Sequence, residues 1–279
     1  MSETILLVGH GSRNIEGNLE IEAFADMWRK RQPQWRIEVC FIEFADVLLD
    51  QGLDRAAGNA SRVIVVPLIL NAAGHVKMET PAHIAQARLR NPDTEFIYVP
   101  NLGADDRILQ ILRRNLLKAM TAMEMPDPKN TGVIVLGRGS SDRAANGEVA
   151  KLARWLFEET HHELVDIAFT GITFPRLETV VQRQVKLGMT QIAVLPYYLF
   201  TGTLIARIRK QVERLRMQYP QVCFSLGEYF GFEEEIFQLL EERVQAVQSG
   251  TAQRVGTMPC DGCKYRAFAE EHGDHHHHD

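Results

Sequence analysis

Val8-Gly9-His10-Gly11-Ser12 returns, about half a chain length later, as Leu136-Gly137-Arg138-Gly139-Ser140. Each stretch closes a short apolar run, residues 4–8 in one case and 132–136 in the other. Each therefore reads as a buried strand running into a tight glycine turn. Two further matches flank this one. Ile42-Glu43-Phe44 pairs with Ile172-Thr173-Phe174, and Ile64-Val65-Val66-Pro67-Leu68 pairs with Ala193-Val194-Leu195-Pro196-Tyr197. Similarity at this spacing is an internal duplication, not a short-period solenoid.

Working outward, strand and helix alternate in both halves. Strands are expected at 4–8, 36–42, 62–67 and 95–99. Helices are expected near 19–31 and 47–57, from Thr80-Pro81 (Thr as cap, Pro in the first turn) and from Asp105 or Asp106 to about Met123. The second half repeats this with strands at 132–136, 166–169, 191–196 and 222–226. Its helices fall at 142–159, 177–187, 204–217 and 233–247. Arg-Val-Ile-Val-Val-Pro at 62–67 is apolar on both faces, as a parallel strand covered by helices on both sides must be. The fold class is α/β: two duplicated lobes, each a parallel sheet with helices on both faces. The lobes are expected at 1–126 and 131–248, joined through Pro126-Asp127-Pro128-Lys129-Asn130, with a flexible tail over 249–279.

The chain has 279 residues, 45% hydrophobic and 24% charged, with a net charge of -5. That is the balance of a globular protein and excludes disorder over most of the length. No apolar run approaches the roughly 20 residues of a membrane span, and the acidic start is unlike a secretory leader, so neither membrane nor export is expected and a cytoplasmic location is. Slight acidity argues against a nucleic-acid partner. Of the four cysteines, Cys40 and Cys223 lie in apolar strand-like runs and read as small core residues.

Several chemistries are excluded by the loops. Gly9-His10-Gly11 lacks the third glycine of a dinucleotide fingerprint, that place being Asn14. There is no P-loop, so P-loop ATP hydrolysis is not supported, and Ser12 and Ser140 lie outside any G-x-S-x-G elbow and read as helix caps. His83, within a helix, and His161 and His162, at a helix end, read as structural or solvated. His10, Glu43 and His75 follow strand ends, where ligands of parallel sheets bind. Two imidazoles and a carboxylate on one rim can hold a borderline divalent ion or accept protons near neutrality. Spacing alone leaves open the alternative of unrelated surface histidines.

Gly9-His10-Gly11-Ser12-Arg13, the 64–77 stretch Ile-Val-Val-Pro-Leu-Ile-Leu-Asn-Ala-Ala-Gly-His-Val-Lys and Leu195-Pro196-Tyr197-Tyr198-Leu199-Phe200-Thr201-Gly202 resemble the long form of the CbiX/SirB family. These are sirohydrochlorin cobalto- or ferrochelatases, class II chelatases that need no ATP. The resemblance spans nearly the whole chain. It implies insertion of Co²⁺, with Fe²⁺ or Ni²⁺ as alternatives, into a tetrapyrrole held between two similar lobes. It implies that His10 and His75 bind metal and accept protons, with Glu43 as their acidic partner. Arg13, Lys77, Arg138 and Arg207 lie near strand-end loops, where each is either a partner for a substrate with eight carboxylates or a solvated surface charge. In the second half Arg138 stands for His10, Thr173 for Glu43 and about Leu204 for His75. One catalytic centre is therefore expected, on the first lobe, with the second lobe closing over the macrocycle. Cobaltochelatase activity in cobalamin synthesis is the leading expectation. The ferrochelatase of sirohaem synthesis and a non-catalytic metal or tetrapyrrole carrier are the alternatives.

The tail carries Cys260 and Cys263 as C-x-x-C, followed by His275, His276, His277 and His278. Two cysteines are too few for a four-cysteine site in one chain. The resemblance implies an iron–sulfur cluster at this Met-x-Cys-x-x-Cys, the alternative being a free or redox-active pair. The chain would be a monomer, or a dimer if the cluster is shared. The histidine run reads as a metal-collecting tract that favours cobalt or nickel.

Overall fold

The computed structural model describes residues 2–58, 60–71 and 73–251, the side chains of His75 and Val76 excepted. The tail residues Cys260, Cys263 and His275 to His278 lie outside the described residues. Eight strands and eight helices alternate among those residues: β1 (Glu3–Gly9), α1 (Ile15–Arg31), β2 (Ile37–Phe41), α2 (Leu49–Ala57), β3 (Arg62–Pro67), α3 (Gly74–Arg90), β4 (Glu95–Tyr98), α4 (Asp106–Thr121), β5 (Thr131–Gly137), α5 (Arg143–Glu158), β6 (Leu164–Phe169), α6 (Leu177–Lys186), β7 (Gln191–Pro196), α7 (Thr203–Gln218), β8 (Cys223–Leu226) and α8 (Glu234–Gln248). They form two four-stranded sheets, ordered β2-β1-β3-β4 and β6-β5-β7-β8. Every pairing is parallel. The expected architecture of two duplicated α/β sheets is what the chain adopts.

Burial explains why these segments are strands. All residues of β2 and β5 are buried, and β-branched side chains make up most of β3 and β5. In the first sheet Leu6, Val8, Val63 and Val65 pack against Leu49, Leu53, Ile84 and Ala87 of the helices. In the second, Ile134, Leu136, Ile192 and Val194 pack against Leu177, Val181, Ile208 and Val212. Removing one such leucine, Leu53→Ala for example, costs about 2–5 kcal/mol.

Local expectations fail where packing overrides them. α3 begins at Gly74, not at Thr80-Pro81, and Pro81 lies inside it. Its first turn is already closed by Lys77 N donating to Ala73 O at 2.9 Å, and Thr80 is buried, not a cap. The serines do not cap either. Asn14 Oδ1 accepts from Glu16 N at 2.8 Å and Asp142 Oδ1 accepts from Ala144 N at 2.9 Å. Ser12 and Ser140 hold the turn one step earlier, accepting from Asn14 N and Asp142 N. Cys40 is buried, and burial, with the nearby Glu38 charge, pushes its thiol pKa far up. Cys223 is exposed, because it opens the edge strand β8 while its neighbours Val222 and Phe224 turn inward.

The chain divides into two compact units. One comprises the residues up to Leu102 together with those from Phe237 onward, and the other is Gly103–Ile236. These units group the helices differently from the lobes expected at 1–126 and 131–248: α4 falls with the second sheet and most of α8 with the first. Side-chain contacts give the reason. In the second unit Asn115 of α4 donates to Glu228 O at 3.1 Å, and Arg114 pairs with Glu233 and Glu235 at 2.7 and 2.6 Å. In the first, Phe237 stacks on Phe24 at 4.1 Å, and Arg243 of α8 donates to the carbonyls of Pro100 and Leu102 at 2.6 and 2.9 Å.

Candidate metal centre

In each sheet the chain steps from the central strand to one side and then to the other. The gap between β1 and β3, and that between β5 and β7, is therefore a topological switch point, where a crevice opens beyond the carboxyl ends of the strands. His10 directly follows β1. Glu43 follows β2. His75 is the second residue of α3, just beyond β3. Three neighbouring strands thus deliver the three expected residues to one rim. His75 is placed there by its backbone, on a helix and not on the loop expected for it.

The turn that presents His10 is fixed by hydrogen bonds. Ile42 N donates to Gly9 O at 3.0 Å and Glu43 N to His10 O at 3.1 Å. Gly11 has φ +84, and a Cβ there would lie 1.6 Å from the Glu43 carbonyl oxygen, so only glycine fits. This close approach sets His10 Nδ1 3.3 Å from Glu43 Oε1, with the side chains 34% and 41% exposed. A pair this open adds little stability, and it sets a carboxylate oxygen beside the imidazole Nδ1. Imidazole and carboxylate together suit a borderline divalent ion. Among the described side chains no cluster of three His, Cys, Asp or Glu groups converges, and His10 with Glu43 is the pair brought together here.

The second rim repeats the backbone and changes the chemistry. Thr170 N donates to Gly137 O at 2.9 Å, Gly171 N to Arg138 O at 3.0 Å, and Gly139 has φ +87. The counterpart of Glu43 is therefore Gly171, not Thr173. The sequence match Ile-x-Phe had placed it two residues too far along. His75 and Leu204 are the second residues of α3 and α7, so that pairing holds.

Arg138 and Arg207, both exposed, lie near a residue that sequence reasoning did not single out. The Tyr198 hydroxyl meets Thr170 Oγ1 at 2.7 Å. Burial pushes its pKa up to about 12, against the opposing pull of the Thr170 hydrogen bond and of the two guanidinium charges. Its only sequence signal was its place in the Leu-Pro-Tyr-Tyr run after β7. In the first unit Arg13 lies over the Phe44 ring, 4.8 Å from its centre, and Lys77 sits half-buried in the first turn of α3. His83 pairs with Asp50 at 2.8 Å. His162 is buried, the structural of its two expected roles, and among the described residues neither ring nitrogen has a hydrogen-bond partner. Burial, and then the nearby His161, lowers its pKa.

Residues 4–119 and, a second time, 132–247 match the model of the CbiX family. The chain belongs to the CbiX family. A sirohydrochlorin cobaltochelatase of Priestia megaterium is 39% identical over 275 residues, 98% of this chain and 88% of the relative. A sirohydrochlorin ferrochelatase of the same organism is 30% identical over 248 residues, 88% of this chain and 91% of the relative. The solved structure of SirB from Bacillus subtilis with Fe³⁺ superposes with a TM-score of 0.77 at 27% identity, over 90% of this chain and 97% of that one. The two family matches coincide with the two sheets, so the CbiX unit is present in duplicate. No helix among the described residues is long and apolar enough to cross a membrane.

Proposed function

We propose that this CbiX protein is a sirohydrochlorin cobaltochelatase, inserting Co²⁺ into sirohydrochlorin without ATP, in the cytoplasm, for cobalamin synthesis. The observation that carries the reading is the His10–Glu43 pair at the carboxyl ends of β1 and β2, in a chain 39% identical to a cobaltochelatase across nearly its full length.

Insertion exchanges one divalent ion for two pyrrolic protons, and no electron moves. The ion must shed water while the macrocycle loses protons. The neutral His10 imidazole offers a lone pair that replaces a water ligand or takes a proton. Glu43 holds that ring in place and stabilises the imidazolium when it forms. His75, at the adjacent strand end, is assigned as the second imidazole. The peripheral carboxylates fall to the cationic groups: Arg13 and Lys77 on the first unit, Arg138 and Arg207 beside Tyr198 on the second. In the tail, Cys260 and Cys263 are assigned an iron–sulfur cluster completed by ligands from elsewhere, and His275 to His278 the collection of metal.

Purified protein given sirohydrochlorin and Co²⁺ is expected to change the absorption spectrum faster than the uncatalysed control. Parallel runs with Fe²⁺ and Ni²⁺ rank the metals. A faster Fe²⁺ reaction favours the ferrochelatase reading, which the 30% identical relative supports. No acceleration with any of the three ions overturns chelation and leaves the carrier.

A further inference from the structure

Phe44 is a large apolar side chain that is 49% exposed, and it directly follows Glu43. Its backbone is left-handed, φ 58, a conformation that bulky residues rarely adopt. Its counterpart Ile172 has φ 62, so the turn itself belongs to the shared loop. What differs is the side chain held at the apex. In the unit with the imidazole–carboxylate pair, that side chain is an aromatic ring covered on one face by Arg13 at 4.8 Å. The second unit reaches a similar arrangement from other positions: Phe174, 72% exposed, lies under Arg176 at 4.7 Å. Phe174 is two residues beyond the counterpart of Phe44, so duplication of one site does not explain the recurrence.

A guanidinium stacked on a ring keeps its N–H donors in its own plane, pointing outward past the ring edge. Such a pair offers two things side by side: flat apolar surface and a fork for a carboxylate. A flat macrocycle fringed with carboxylates needs both. We propose that Phe44, held by the left-handed turn and flanked by Arg13, is a contact residue for the tetrapyrrole, its ring packing on the macrocycle while Arg13 pairs with a peripheral carboxylate. Phe44 then contributes binding to the macrocycle and takes no part in metal or proton transfer. This inference rests on the chelatase reading above.

Phe44→Gly removes the ring and adopts φ +58 without cost, so the variant folds. With Co²⁺ fixed and sirohydrochlorin varied, its KM for the tetrapyrrole is expected to rise about tenfold. Its kcat should stay within about twofold and its KM for Co²⁺ should be unchanged, because only binding shared by ground and transition states is lost. Phe44→Trp should retain the wild-type KM. An unchanged KM in Phe44→Gly overturns the proposal, and so does a loss confined to kcat. If wild-type protein inserts no metal, the chelatase reading fails separately. A direct absorbance titration with sirohydrochlorin then still decides the contact: equal Kd for wild type and Phe44→Gly overturns it, and a weaker Kd in the variant supports it.

Discussion

The first rim holds an imidazole and a carboxylate 3.3 Å apart; the second, on the same turn, holds an arginine beside a glycine. Two backbone hydrogen bonds and one left-handed glycine are common to both. The duplication therefore kept a way of presenting residues at a switch point and let the residues themselves diverge, to His10 and Glu43 in one copy and to Arg138 and Gly171 in the other. A guanidinium cannot ligate a cation, and a lone glycine offers no carboxylate, so the second rim carries no equivalent of the imidazole–carboxylate pair on either side.

The sharpest way to break this comparison is to truncate equivalent residues. His10→Ala should lower the insertion rate at saturating tetrapyrrole by about a hundredfold or more. Arg138→Ala should leave that rate within about twofold and raise the tetrapyrrole KM about tenfold. Steady-state rates with each substrate varied separate the two, and matching behaviour would mean that the rims share one role.

A second variant sharpens the register. Arg138→His with Gly171→Glu should install a second imidazole–carboxylate pair, seen as an additional Co²⁺-binding step in a visible absorption titration. A side chain at Gly171 has room, the nearest atoms to its Cβ being 3.8 and 3.9 Å away. Arg138→His with Thr173→Glu should add no such step. The reverse outcome would restore the two-residue shift suggested by sequence.

The smallest effect concerns His162, which has no equivalent role in the first unit. Its folded-state pKa lies below the ordinary 6.5, chiefly through burial. The unfolded chain therefore takes up the proton first, and stability falls as pH drops below about 6.5, levelling off once pH is below the folded pKa. Denaturant melts across this range should show a shallower loss for His162→Phe than for wild type. Parallel curves would mean that the ring titrates normally.

Strands buried on both faces and glycine turns were legible in the sequence because each has a local physical signature. The second pairing of the duplication was not, since Ile42-Glu43-Phe44 and Ile172-Thr173-Phe174 look alike while the ladder aligns Glu43 with Gly171. The start of α3 was hidden because Thr80-Pro81 mimics a helix opening and only packing shows Thr80 to be interior. The site was legible as far as residue types at strand ends. Tyr198 and Phe44 were not, because their significance lies in what surrounds them: a partly buried hydroxyl bonded to Thr170 and felt by two guanidinium charges, and a ring under an arginine.

The placement of α8 also bears on how the protein is made. Gly103–Ile236 is one continuous stretch and can complete its own fold while synthesis is still under way. The first unit cannot. The ring of Phe24 waits for Phe237, the carbonyls of Pro100 and Leu102 wait for Arg243, and Glu3 meets Gln248 only after nearly all the described chain has left the ribosome. The half that carries His10 and Glu43 is thus the first to be translated, yet its contacts with α8 form only once Phe237 to Gln248 have been made.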